Sequence, residues 1–175
     1  KLQKQPYHVL QQIFKQGFVL PSASKGLLGD INNLSVAGDG TTIRTGAARY
    51  GKPQCDCRKQ GVFKCSCPRE FTDPDASWGW DSYRGEYFYG RNLYIFTAAD
   101  SPNDLPLYLF YAERHDSACF VPAFFEMMRL YPEFRFRECL LDSAHDAMPI
   151  YQALRQLDIN ALIDLNPRNL GSVKI

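Results

Sequence analysis

The sequence predicts an α/β protein: a mixed sheet with helices packed on it and a cysteine-rich insertion between its first two strands. Three observations predict it. Apolar, strand-like segments at about 34–38, 86–99, 105–113, 134–142 and 159–166 are separated, late in the chain, by helical stripes. Two antiparallel steps come first and strand–helix–strand units follow, which mixes the two kinds of pairing. After Ile43 the periodicity dissolves for some forty residues, a length that in a compact domain belongs to function or to an insertion with its own stabiliser. At 175 residues, 45% hydrophobic and 22% charged, the chain suits one domain with an insertion and can bury a substantial core.

Each element has a local reason. Residues 5–17 place Val9, Leu10, Ile13 and Phe14 on one helical face, with Gly17 as the expected stop. This helix belongs to an N-terminal segment, 1–30, read as the end of an upstream region, and 31–175 is the main domain with its insertion at about 46–85. The run EYFYGRNLYIFTAA (86–99) is rich in aromatics, with Gly90 as a candidate bulge. Turn residues 100–104 lead into LPLYLFYAE, which completes a hairpin. Val121, Phe124, Phe125 and Met128 form a helical stripe capped near Asp116 or Ser117 and ended before Pro132. FRFRECLLD is a third main strand. A helix with Ile150, Tyr151, Leu154 and Leu157 on one face follows, with Asp146 as expected N-cap, and INALIDLN reads as a short buried strand.

No apolar run approaches the ~18 residues of a membrane span, and no secretory signal opens the chain, so no membrane partner is expected. The chain opens on Lys1 and closes on Ile175, and reads as a piece of a longer protein. The net charge of +1 hides an asymmetry. Arg44, Arg49, Lys52, Arg58, Lys59, Lys64 and Arg69 face a single acid, Asp56, between positions 44 and 69. Such a block suits a polyanion such as DNA, and a solvated loop accounts for it too.

Four of the six cysteines sit in the same block, as Cys55-Asp-Cys57 and Cys65-Ser-Cys67, whereas Cys119 and Cys139 lie among apolar residues and read as reduced core thiols. Four clustered thiolates could hold one tetrahedral Zn²⁺ and organise a loop that has no core of its own. The one-residue gaps depart from the usual C-x₂₋₄-C pairs, and reduced thiols or a Cys57–Cys65 bridge remain alternatives.

Asp39 and Asp142 each end an apolar segment that reads as a central strand. Taken singly, Asp39-Gly40 fits a hairpin turn and Asp142-Ser143 a helix cap. Taken together, two carboxylates on neighbouring strands repel each other unless cations neutralise them. Their hard oxygens suit Mg²⁺ or Mn²⁺, and two such ions can activate a hydroxyl and stabilise a leaving oxygen in phosphodiester chemistry.

LSVAGDGTTI, FTDPDASWGWDSYRGEYFYGRNLYIF (71–96) and RECLLDSAHDAMPIYQALRQLDINALIDLNPRN (137–169) together resemble the DDE transposases of bacterial insertion sequences, in the family's order and over about residues 30–170. The resemblance implies a ribonuclease H-like fold with Asp39 at the first acidic position, on the first strand, and Asp142 at the second, on the fourth. It implies Mg²⁺- or Mn²⁺-dependent nicking of transposon ends and joining to target DNA, with two ions in the complete site. It further implies self-association in the active complex and work on the bacterial nucleoid in the cytoplasm. The family's third ligand is a Glu downstream of the last strand here. Glu113, Glu126, Glu133 and Glu138 all precede Asp142, and Asp164 is expected inside a buried strand, so the chain alone is expected to be inactive. A non-catalytic DNA-binding or assembly module of the same fold, and another ribonuclease H-like nuclease, are the competing readings.

Arg58, Lys59 and Lys64 are the expected DNA contacts of the insertion, with Arg84 and Arg91 as further candidates for phosphate. Trp78 and Trp80, among Asp73, Asp75 and Asp81, either seal the insertion onto the core or present a stacking surface. His145 sits three residues after Asp142, where it could cap a helix or approach the metal site. His8 and His115 have no constellation around them.

Overall fold

The computed structural model describes residues 6–81, 83–112 and 116–169. Glu113, His115 and the tail from 170 onward lie outside the described residues. The chain forms two compact units, one of Lys1–Thr41 with Leu93–Ile175 and one of Thr42–Asn92.

In chain order the elements are α1 (Pro6–Phe14), a π-helical turn (Lys15–Val19), α2 (Leu20–Ser24), β1 (Leu34–Arg44), β2 (Lys52–Pro53), β3 (Arg69–Glu70), β4 (Ser77–Asp81), β5 (Glu86–Ala98), β6 (Pro106–Ala112), α3 (Asp116–Leu130), β7 (Phe136–Leu141), a 3₁₀ turn (Ser143–His145), α4 (Met148–Gln156) and β8 (Asn160–Ile163). The sheet of the first unit runs β6-β5-β1-β7-β8. β7 lies parallel to β1 and β8 parallel to β7, whereas β4 and the opening half of β5 pair antiparallel inside the second unit. The fold is thus an α/β mixed sheet with flanking helices. Its first and fourth long strands, β1 and β7, lie side by side, and the cysteine-rich insertion separates the first two, β1 and β5.

Aromatic packing holds the first unit together. Tyr94 and Phe96 of β5 meet Phe120 and Phe124 of α3 with ring centroids 5.6–6.5 Å apart, and all four side chains are buried. Such pairs add about 0.5–1.5 kcal/mol each beyond the area they bury. Leu34 and Val36 of β1, Cys139 and Leu141 of β7, and Ile150 and Leu154 of α4 extend the same core.

Several elements differ from the sequence reading. β1 does not stop at Asp39 but continues to Arg44, so Asp39-Gly40 is strand and not a turn. The first helix continues beyond Gly17 through the π turn into α2, and of its apolar stripe only Phe14 packs against the core. Val9, Leu10 and Ile13 are exposed, while Gln11 and Lys15 are buried. The Lys15 amine is satisfied by the Leu130 carbonyl at 2.6 Å, by Glu133 at 2.7 Å and by the Tyr131 ring at 5.5 Å, which removes the usual penalty for burying a charge.

In α3 the buried stripe is Phe120, Ala123, Phe124 and Met127, with Phe125 exposed. Gly90 is a close approach rather than a bulge: it pairs with Ser77, and a Cβ there would strike the Ile43 carbonyl. α4 is capped by Ala147 without a side-chain bond, and Asp146 instead accepts from Tyr151, Asn166 and Asn169. β8 is an edge strand with Leu162 exposed rather than a buried one.

Candidate active site

The two predicted aspartates come together through register. β1 and β7 pair in parallel up to Gly38 opposite Leu141, so Asp39 and Asp142 are the next residues along adjacent central strands. Both are exposed, Asp142 just past the end of β7 and Asp39 within β1 where its pairing with β7 ends.

Asp142 does cap a turn, and in doing so is fixed. Its backbone is extended, and its Oδ1 accepts from the Ala144 N–H at 3.1 Å and from His145 Nδ1 at 2.6 Å. No hydrogen bond among the described residues reaches Oδ2. A carboxylate only accepts, so Nδ1 carries the imidazole proton, and in the neutral ring Nε2 is left to accept the Tyr94 hydroxyl 2.7 Å away. His145 is fully buried and stands edge-on to Tyr94 and Phe120. It neither caps a helix nor faces solvent; it orients Asp142 from beneath. Burial pushes the Tyr94 phenol well above its ordinary range, and the nearby carboxylates of Asp116, Asp39 and Asp142 add to the shift. The phenol is therefore a permanent donor.

The glycines flanking Asp39 make room for the protein's own side chains. A Cβ at Gly38 would fall 2.7 Å from the Tyr94 hydroxyl and 2.9 Å from the Phe96 ring, and one at Gly40 would strike the Asp116 carboxylate. Neither glycine has positive φ, so close approach rather than backbone freedom explains them. Asp39 Oδ1 accepts from the Gly40 N–H at 2.7 Å.

Two further carboxylates stand nearby that the sequence reading did not place there. Asp116 opens α3 and was read only as a cap. Asp164, expected inside a strand, follows β8 and is exposed. β7 and β8 pair up to Leu141 opposite Ile163, so Asp164 is the neighbour of Asp142 as Asp39 is on the other side. The signal that could have located it is the shared pattern of an apolar run ending in Asp on three strands.

The second cluster lies in the second unit. Cys55, Cys57, Cys65 and Cys67 place their sulfurs within 4.8 Å of one another, with Cys55–Cys65 and Cys57–Cys67 each at 3.6 Å. All are free thiols, and the close pairs are not the Cys57–Cys65 pair that a bridge would have required. Tetrahedral bonds of about 2.3 Å set sulfurs roughly 3.8 Å apart, so the four thiols fit one ion. The Cys57 N–H and the neighbouring Cys65 thiol bring the Cys55 thiol down to about 7, whereas hydrogen bonds to Cys55 and Cys67 push Cys57 up to about 12. Four thiolates this close need a cation to coexist.

The basic candidates divide. Arg58, Lys59 and Lys64 are exposed around the cysteines, with Lys59 paired to Asp56 at 2.7 Å, a surface pair of little energetic weight. Arg84 is exposed in the turn after β4, its N–H bonded to Asp81. Arg91 is engaged by Asp73 through both Nε and Nη2, a fork that ties the 73–75 loop to β5. Trp78 and Trp80 are both more than half exposed.

No family model matches the chain, and no curated protein matches it. Among solved structures it is similar to a Mos1 transposase paired-end complex with left transposon end, at 17% identity and a TM-score of 0.40 over 87% of this chain and 42% of that one. It is similar also to a Mos1 mariner paired-end complex with Mn, at 15% and 0.38 over 87% and 40%. A third is a pre-cleavage Mos1 transpososome, at 12% and 0.34 over 87% and 41%. The chain spans about two-fifths of the length of these transposase chains.

Proposed function

We propose that this chain carries the first two acidic positions of a DNA transposase of the insertion-sequence type, which cuts and joins phosphodiesters in the bacterial cytoplasm as a self-associated complex. The observation that carries the reading is the pair Asp39 and Asp142, set one residue beyond the registered ends of adjacent parallel strands. Mg²⁺ or Mn²⁺ suits their hard oxygens; bound there, a divalent ion would polarise the scissile phosphate and lower the pKa of an attacking hydroxyl. The protein's own part is orientation. Ala144 and His145 hold Asp142 Oδ1, the Gly40 N–H holds Asp39 Oδ1, and each carboxylate keeps its second oxygen for the ion.

Mn²⁺ binding to the 175-residue chain, followed by electron paramagnetic resonance, tests this apart from activity. Asp39→Asn and Asp142→Asn are each expected to weaken binding by about tenfold or more, the scale of one charged ligand lost. Unchanged affinity in both variants would remove the reading and favour the non-catalytic module.

The same proposal gives the cysteine cluster a structural zinc, with the 3.6 Å sulfur pairs as support. Elemental analysis should find one zinc per chain and none in Cys55→Ser; metal-free protein with four titratable surface thiols would contradict it. Zinc would fix the loop that carries Arg58, Lys59 and Lys64, whose charge suits DNA phosphates.

A further inference from the structure

The hairpin of β4 and β5 carries aromatic side chains on both of its faces. On one face Phe88 is buried over Gly79. On the other, Trp78 pairs across the strands with Tyr89 and Trp80 with Tyr87. Side chains alternate along a strand, so the four rings share that outer face. The rings meet edge to face at 5.6 Å and 4.9 Å. Trp78 is 53%, Trp80 55% and Tyr87 71% exposed, and Tyr83 in the connecting turn is 96% exposed. The outer face of a two-stranded hairpin is ordinarily polar, and a contiguous exposed aromatic surface marks a binding site.

The charge around this face says what it would bind. Four acids of the hairpin and its flanks are already paired: Asp81 and Glu86, on the Phe88 face, with Arg44 at 3.2 Å and 2.7 Å, and Asp73 and Asp75 with Arg91. The cations are not matched in the same way. Arg49 is exposed with its guanidinium 5.4 Å from the Trp78 ring and 4.7 Å from Tyr50, and no carboxylate among the described residues lies within ion-pair distance of it. Arg69 donates to the Tyr50 carbonyl, whereas Lys52 lies across the strand pair from the acid Glu70. Rings beside Arg49, a cation with no carboxylate partner among the described residues, suit a polyanion that also offers flat aromatic surfaces.

We infer that the outer face of the β4–β5 hairpin is a stacking platform for unpaired nucleotides, with Trp78, Trp80 and Tyr87 taking bases and Arg49 the adjoining phosphate. Bases in a duplex have their faces occupied by each other, so this surface can engage only bases that have left the stack. Reading the sequence of a duplex would instead need hydrogen-bonding side chains aimed at base edges, which the ring face lacks, and duplex phosphates can be met by cations without the rings. The inference deepens the DNA-processing proposal and rests on it.

The chain supplies its own probe, because Trp78 and Trp80 are its only tryptophans. The whole chain is titrated with oligo(dT) of about ten nucleotides, within the footprint that such surfaces cover, and with a duplex of equal length. Labelled-DNA anisotropy reads affinity, and tryptophan emission reads stacking. Single strands are expected to quench the emission and the duplex to leave it unchanged. Trp80→Ala should weaken single-strand binding by about tenfold, in keeping with one lost stacking contact, without weakening duplex binding. The double variant Trp78→Phe and Trp80→Phe, which retains rings, should keep most of the single-strand affinity by anisotropy and so controls for folding. Duplex binding without single-strand quenching, or equal single-strand affinity in Trp80→Ala, overturns the platform and leaves the DNA reading standing. Binding to neither DNA overturns both. An emission shift that tracks protein concentration without DNA also overturns the platform, in favour of a protein-docking face.

Discussion

Asp142, His145 and Tyr94 form one hydrogen-bonded line from the solvent-facing carboxylate into the aromatic core. The line makes the orientation of a surface acid depend on residues that no ligand touches. Tyr94→Phe removes the hydroxyl and leaves a buried imidazole nitrogen without its partner, which should lower stability by about 1–2 kcal/mol in a urea titration while leaving Asp142 held by His145. His145→Ala also opens a cavity and frees the Asp142 side chain, so it should cost about 3 kcal/mol and weaken Mn²⁺ binding as well. Equal Mn²⁺ affinity in the two variants would show that His145 supports the fold without positioning the ligand. His145 was visible in the sequence only as a histidine three residues after Asp142. Its bond to Tyr94 spans 51 residues, and a contact of that kind has no local signature.

At the scale of elements, the strands with dense β-formers were legible and the surprises came where glycine or charge disguised the pattern. β1 continues through Gly38 and Gly40 because their missing side chains leave space that Tyr94 and Asp116 occupy, although glycine argues against strand on propensity alone. The stripe of α3 sits beside the one expected because both Phe124 and its neighbour Phe125 satisfied a helical period. The first helix turned all of its apolar stripe but Phe14 outward, since carbonyls and Glu133 from distant segments satisfy Lys15. Loops held by ion pairs carry a pH dependence that can be checked. Arg91 hydrogen-bonds Asp73 and holds its carboxyl below the usual range. A folded-state pKa below the unfolded one stabilises above the unfolded value, and that contribution disappears as pH falls through the depressed one. Hydrogen exchange across residues 73–91 should therefore lose protection on acidification in the wild-type chain. Asp73→Asn should start less protected at neutral pH and change less; parallel losses in both proteins would exclude the Arg91 clamp as the cause.

At the scale of the whole molecule, the two compact units are stabilised by different means. The first has an aromatic and aliphatic core spread over five strands and two helices. The second has short strands, many exposed side chains and a four-thiol cluster. The carboxylate pair and the cysteine block were legible as clusters because their residue types stand out in the sequence and β1–β7 register and sulfur spacing bring them together. The aromatic platform was readable only as an alternative, since two tryptophans in a sequence do not reveal which way they point.

The split of the cysteines between the units gives the protein two internal gauges of opening. Cys119 and Cys139 are buried in the first unit, and burial pushes the Cys139 thiol far above its ordinary range. The other four are partly accessible in the second unit. With the proposed zinc removed by a chelator, an alkylating reagent counted by mass would then read four additions, while the last two would appear only as fast as the sheet itself comes apart. The same six atoms thus time the loss of the loop and the loss of the core separately, with no label added to the chain.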